Sequence, residues 1–315
     1  MGKKGVNRLF LGVIAFHIAL VIVMILCPGL FKIGVIANLL LGELVILIPG
    51  LIYLLIYVCS KRPEKEPLKD RLMFHKIKPS TFFMSILFTF LMMPLTTLIN
   101  AISMLFVENT MLALSDRIIE LPFAVMFFIM AIFGPFCEEF VFRGIIYGGY
   151  RKEGRVLAAV LLSGLLFGLM HMNLNQACYA FVIGIALALL AEASGSIWTS
   201  VLFHGIFNAQ SVCIMYLVEK MMPGYYSAAS QAALTKEDMY LTISVYLVLA
   251  VAATAAALCV LVWIAGNEGR KELLKEAIFG KNAEKKTLLT PTLIIAIILS
   301  IAYIIFDLVG SSILG

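Results

Sequence analysis

Residues 131–150 read AIFGPFCEEFVFRGIIYGGY. Two acids and one base, Glu138, Glu139 and Arg143, sit inside a run of uncharged and mostly apolar residues. An ionisable side chain at the centre of a bilayer costs about 2.5–3.5 kcal/mol on insertion scales, so such residues face a bundle interior and find partners there. Helical spacing sorts the three. Glu139 and Arg143 are i,i+4 with the acid N-terminal to the base, which lets them pair on one face. Glu138 is turned from that face by about 100° and is left over.

The rest of the chain says why this run belongs in lipid. Of 315 residues, 62% are hydrophobic and 14% charged, with a mean hydropathy of +1.02. A soluble domain carries about 25% charged residues and has to cover its surface with polar groups. A spanning helix needs about 20 mostly apolar residues. On that ruler nine segments qualify: 9–31, 34–59, 80–107, 121–150, 155–173, 176–192, 197–218, 239–265 and 291–313. The segments 155–173 and 176–192 are short and joined by a polar MNLNQ stretch, which leaves the count at eight or nine. The predicted fold class is therefore an all-α polytopic transmembrane helix bundle of about 8–9 spans. It is read as a single membrane domain over 1–315, with a chemical core at about 121–215 and flanking spans at 9–107 and 239–313. The six cysteines stand singly with no CxxC pair, so neither a disulfide framework nor a thiolate metal site is indicated.

Lysine and arginine in short loops set orientation. Segment 60–79 holds seven of them, Arg151 to Arg155 holds three, and 266–290 holds six. The loops at 108–120 and 219–238 hold few, balanced by acids. Nine spans with a cytoplasmic N-terminus put all three basic loops on the cytoplasmic side, and the active site is expected to open towards that half. Lys3, Lys4 and Arg8 precede an apolar run too long for a signal-peptide core, which reads as an uncleaved first span. Basic loops beside spans are membrane-surface features, so nucleic acid is not an expected partner.

Two further stretches carry polar residues that lipid would reject. Residues 161–175, LLSGLLFGLMHMNLN, place His171 at the end of a span, and residues 197–210, IWTSVLFHGIFNAQ, place His204 and Asn208 one helical turn apart. Counting about 1.5 Å per residue from the helix ends puts Glu138, His171 and Asn208 in compatible layers. Such a set suits water activation. A buried carboxylate can act as general base with a histidine beside it, and a second histidine with an asparagine offers donors for a tetrahedral oxyanion. The same atoms suit a divalent metal such as zinc, held by Glu138, His171 and His204 with one position open for water. Other protease classes fit worse. A serine nucleophile in GxSG fails because Leu161 stands where the first glycine belongs, and an aspartyl protease needs two Asp in facing spans, whereas only Asp307 is clearly inside one. No HExxH and no phosphate loop occurs. Buried Glu and His also serve proton-coupled secondary transporters, but these usually show internal symmetry, which is absent from this chain. A catalytically silent membrane scaffold or immunity protein is the third reading. Glu43, Asp307, Asn38, Asn100 and His17 also lie in spans and have no assigned role.

The three motifs together resemble the CAAX protease and bacteriocin-processing family, also called the Abi family, which includes Ras-converting endopeptidases. Its pattern is EExxxR, then FxxxH, then HxxxN or HxxxD on successive spans. The counterparts are Glu138-Glu139 with Arg143, Phe167 with His171, and His204 with Asn208. The resemblance implies an intramembrane endopeptidase in which Glu138 and His171 activate water, His204 and Asn208 hold the oxyanion, and Glu139 and Arg143 support the geometry. It implies either a metalloprotease or a metal-independent glutamate mechanism. The absence of HExxH and the presence of only two histidines in the set favour metal independence. The implied partners are membrane lipid and a membrane-associated peptide or protein, and the implied setting is a bacterial cell membrane.

Overall fold

The computed structural model describes residues 2–27, 29, 34–60, 66–153, 156–231, 235–279 and 287–314. Inside a bilayer no water satisfies a free N–H or C=O, so an apolar chain must close its backbone hydrogen bonds within each segment, and helices do this. The elements in order are α1 (Lys3–Leu26), α2 (Val35–Cys59), α3 (Leu68–Arg71), α4 (Pro79–Ser103), α5 (Thr110–Ile119) and α6 (Phe123–Tyr150). They continue as α7 (Val156–Met170), α8 (Leu174–Ser194), α9 (Ile197–Met221), α10 (Tyr225–Gln231), α11 (Lys236–Asn267), α12 (Lys271–Phe279) and α13 (Pro291–Leu314). No strand occurs among the described residues. The protein is an integral, multi-pass, all-α membrane protein.

Eight of the described helices are long and apolar enough to cross a bilayer. The ninth apolar helix, α7, has 15 residues, which is about 22 Å of helix. Its ends nevertheless reach opposite ends of the bundle. Arg151, just before α7, pairs at 3.0 Å with Glu192 near the end of α8, and Arg270 pairs with the same carboxylate at 3.0 Å. Beyond the other end of α7, Asn173 accepts from the Thr110 hydroxyl, and Asn175 donates to Asn100 and Ser103 at the end of α4. Nine of the described helices therefore run alternately up and down. The sequence left the count at eight or nine because α7 is shorter than the usual span.

One end gathers the basic segments. Lys3 bonds the Thr287 carbonyl, Lys152 bonds Glu66, Lys78 bonds the Asn267 carbonyl, and Ser196 bonds the His75 carbonyl. The described parts of all three lysine- and arginine-rich loops thus share one end, as the parity of nine spans requires. The opposite end is formed by the start of α2, the end of α4, α5, and the turn between α7 and α8.

Packing of α7 on α8 depends on glycine. A Cβ added at Gly184 would lie 2.8 Å from the Gly164 Cα, and one at Gly168 would lie 2.7 Å from the Ala177 carbonyl oxygen. The two backbones touch, which is how helices in lipid gain contact area without a solvent-driven force. On the opposite side α4 packs along α11, where Thr81 donates to Glu268 and Asn267 donates to Ser80.

Helix α6 is not regular. Phe128–Phe133 and Phe140–Tyr147 are π-helical, with an α-helical turn, Gly134–Glu139, between them. Pro135 explains part of this. The Gly134 N–H bonds the Ile129 carbonyl in the π pattern, so the next donor would serve Met130, and proline has none. The Met130 carbonyl instead accepts from Asn208 Nδ2 on α9 at 2.9 Å. Gly205, one turn earlier on α9, lets the helices close, since a Cβ there would sit 2.8 Å from the Ala131 carbonyl oxygen.

Candidate active site

The widened helix α6 presents its two acids differently. Glu139 points into protein. Its Oε1 lies 2.8 Å from Arg143 Nη1, and both side chains are 0% exposed. Arg143 also donates from Nη2 to the Gly184 carbonyl at 3.2 Å and lies 4.2 Å from the Phe167 ring centroid. A buried ion pair is tolerated when further hydrogen bonds and a polarisable face offset its desolvation; this one has both, and among the described residues Glu139 Oε2 and Arg143 Nε are left without a hydrogen-bond partner.

Glu138 faces a cavity of about 230 Å³. Among the described residues its carboxylate makes no hydrogen bond, and Oε2 is buried without a partner. The same cavity is lined by His171, His204, Asn208, Gln176, Tyr179 and Glu43. The four residues read from the sequence as catalytic therefore converge on one space, from α6, the end of α7, and α9.

Hydrogen-bond partners fix the two rings. His171 Nδ1 lies 2.9 Å from the Phe167 carbonyl oxygen. A carbonyl only accepts, so Nδ1 carries the proton and Nε2 keeps its lone pair. His204 Nδ1 lies 3.1 Å from Glu139 Oε1, the oxygen that also holds Arg143. His204 is thus tied to Glu139 and not to Glu138. Phe167 sits between the rings, edge-on to His171 at 5.2 Å and to His204 at 5.8 Å between centroids. Phe167, named from the sequence only as part of the FxxxH motif, separates the two histidines and caps the guanidinium.

Three lining residues escaped the sequence reading. Glu43 comes from α2, with Oε2 buried and unpartnered, and Oε1 stands where a Cβ on Gly134 would lie 2.7 Å away. Its signal was present: a lone acid in the apolar run 34–59. Gln176 lay in the polar MNLNQ stretch, and Tyr179 had no sequence signal. Of the other unassigned span residues, Asn100 accepts from Asn175 at 2.8 Å, His17 stacks edge-on with Tyr303, and Asp307 lines a separate cavity with Glu108.

The direction in which the site opens differs from the expectation. Leu39 near the start of α2, Met111 on α5 and Gln176 at the start of α8 line the cavity, and all belong to the end opposite the basic loops. The expectation that the site opens towards the half bearing those loops is corrected. The α7 helix rises from the basic end, so His171 at its far terminus draws the cavity to the other end.

A divalent metal does not fit the described donor set. Among the described residues no three His, Cys, Asp or Glu side chains are grouped to hold a metal ion. Glu139 takes only the Nδ1 side of His204.

Residues 120–210 match the family described as "Type II CAAX prenyl endopeptidase Rce1-like". That stretch contains every residue of the three motifs. Over this core the chain is similar to the CAAX protease and bacteriocin-processing family, as its motifs suggest. A similar protein, "Putative membrane peptidase YdiL" of Bacillus subtilis (strain 168), is 33% identical over 110 residues, covering 35% of this chain and 43% of the relative. The chain thus spans less than half the length of the curated relative it matches. No solved structure matches the chain.

Proposed function

We propose that this chain is an intramembrane endopeptidase that hydrolyses peptide bonds of membrane-associated or membrane-embedded substrates. The observation that carries the reading is the convergence of an unpartnered Glu138 with His171, His204 and Asn208 on one cavity inside the bundle.

In this reading Glu138 accepts a proton from water, and the water oxygen bonds to the scissile carbonyl carbon. The His171 Nε2 lone pair accepts the second hydrogen of that water as a hydrogen bond and aims it. The carbonyl π pair moves onto oxygen, and the oxyanion meets the Asn208 N–H that Met130 does not use. His204 gives Nδ1–H to Glu139, so only a ring protonated on both nitrogens can offer Nε2–H to the oxyanion. Glu139 is the counter-charge beside that ring, and Arg143 holds Glu139 in place. Collapse of the intermediate breaks the C–N bond, and Glu138 returns its proton to the leaving amine. No step is routed through a metal.

The test is cleavage of a fluorogenic, membrane-anchored peptide library by purified protein in detergent. Glu138→Gln and His171→Ala are each expected to lower the rate by about 10²–10⁴, the range for a general base. Wild-type activity is expected to survive exhaustive chelation. Cleavage unchanged in both variants overturns the residue assignment, and loss of activity on chelation that zinc restores overturns the metal-free mechanism.

A further inference from the structure

A second cavity of about 220 Å³ adjoins the first and shares Tyr179, Phe207, Met111 and Ser211 with it as a common wall. The rest of its lining is Thr96, Thr97, Asn100 and Asn109, all uncharged and all capable of hydrogen bonding. Asparagines inside a membrane bundle normally spend their hydrogen bonds on neighbouring helices. Here the acceptors are spent and the donors are not. Asn109 Oδ1 accepts the Met111 and Leu112 N–H groups and caps α5, while its Nδ2 meets only the Met104 sulfur at 3.7 Å. Asn100 Oδ1 accepts from Asn175, while its Nδ2 meets the same sulfur at 3.6 Å. A thioether is a weak acceptor. Two amide donors are therefore under-used in the lining of a space adjoining the cavity of Glu138.

Donors without charge suit neutral acceptors, and the neutral acceptor repeated along a substrate is the main-chain carbonyl of an extended peptide. The cavity also has a definite side. Thr96, Thr97 and Asn100 are in the last turns of α4, and Asn109 precedes α5, so the cavity belongs to the end away from the basic loops. Lysine and arginine bias places basic loops in the cytoplasm, which makes this end extracytoplasmic.

We infer that the second cavity is a substrate subsite, in which Asn100 and Asn109 hold the carbonyls of an extended, uncharged peptide strand that enters from the extracytoplasmic face. This rests on the hydrolytic reading of the Glu138 cavity and names its substrate class: a translocated or outward-facing peptide segment. A cytosolic chain terminus is not its substrate.

Thr97 lines the second cavity and not the first, so it reports on the subsite alone. The first arm places a cysteine there (Thr97→Cys) and treats intact cells with a membrane-impermeant maleimide, read by peptide mapping to separate it from the native cysteines. The expected result is labelling without permeabilisation, slowed at least threefold by a lipid-anchored pool of uncharged peptides and not by an aspartate-rich pool of equal length. Labelling only after the membrane is opened, or equal protection by both pools, overturns the inference. The second arm fills the space with Thr97→Trp, and uses Thr97→Val as a shape-conserving control. Thr97→Trp is expected to raise KM for the uncharged peptides about tenfold with kcat within twofold, while Thr97→Val behaves as wild type. An unchanged KM in Thr97→Trp overturns the subsite. Because protection from labelling needs no turnover, protection without cleavage by the wild type would defeat the hydrolase reading and leave the subsite standing.

Discussion

Replacing Arg143 with leucine strands a carboxylate in the middle of the bundle. Arg143 and Glu139 are both 0% exposed and meet at 2.8 Å, so no water can take over from the lost guanidinium. Breaking a buried pair by removing one partner costs about 3–5 kcal/mol. The stacking of the guanidinium on Phe167 at 4.2 Å adds about 1–2 kcal/mol when desolvated. Against this, His204 remains as a donor to Glu139 and leucine refills part of the volume. The net expectation for Arg143→Leu is a loss of about 3–4 kcal/mol, more than a hundredfold in the unfolding equilibrium. The double variant Glu139→Leu/Arg143→Leu removes both charges and should recover at least about 1.5 kcal/mol of that loss, because apolar replacement of both partners is close to neutral. The assay is reversible unfolding in mixed micelles, followed by far-UV circular dichroism as the fraction of denaturing detergent rises. A loss under about 1 kcal/mol for Arg143→Leu, or a double variant as unstable as the sum of the singles, would refute the coupling argued from these distances.

Three other changes test separate links. Asn208→Leu leaves the Met130 carbonyl without its donor and should cost about 1–3 kcal/mol of stability besides lowering activity; unchanged thermal unfolding would mean that the carbonyl finds another partner. Gly184→Ile forces a branched side chain onto the Gly164 backbone at 2.8 Å and should destabilise by about 1–3 kcal/mol or separate α7 from α8. Retained stability, with retained protection of the α7 amides in hydrogen exchange, would contradict backbone contact there. Glu192→Ala frees Arg151, Arg270 and the Tyr147 hydroxyl at once, and should lower stability by about 3–5 kcal/mol with little change in kcat for the folded fraction. A selective loss of kcat at full stability would point to a role in turnover.

Much of this protein was legible in its sequence for one physical reason. Lipid punishes unpaired polar groups, so every charge left inside an apolar run is informative. Glu139 and Arg143 had to pair because a single turn brings them together, and they do. The same reasoning left Glu138 over, and picked out His171, His204 and Asn208. The count of lysine and arginine in the loops placed the described basic segments at one end of the bundle.

Tertiary structure decided what spacing along a helix does not encode. Pro135 and the π-helical turns of α6 set which carbonyl is orphaned, and so drew Asn208 to Met130. The approach of α9 gave His204 to Glu139 instead of to Glu138. The partner of a residue on another helix depends on rotation and depth, and hydropathy is blind to both. Glu43 shows the limit most plainly: its sequence marks it as costly in lipid, but only the packing of α2 against Gly134 brings it to the cavity of Glu138. The opening of the site was likewise a matter of assembly, fixed by where α2, α5 and the α7–α8 turn leave space.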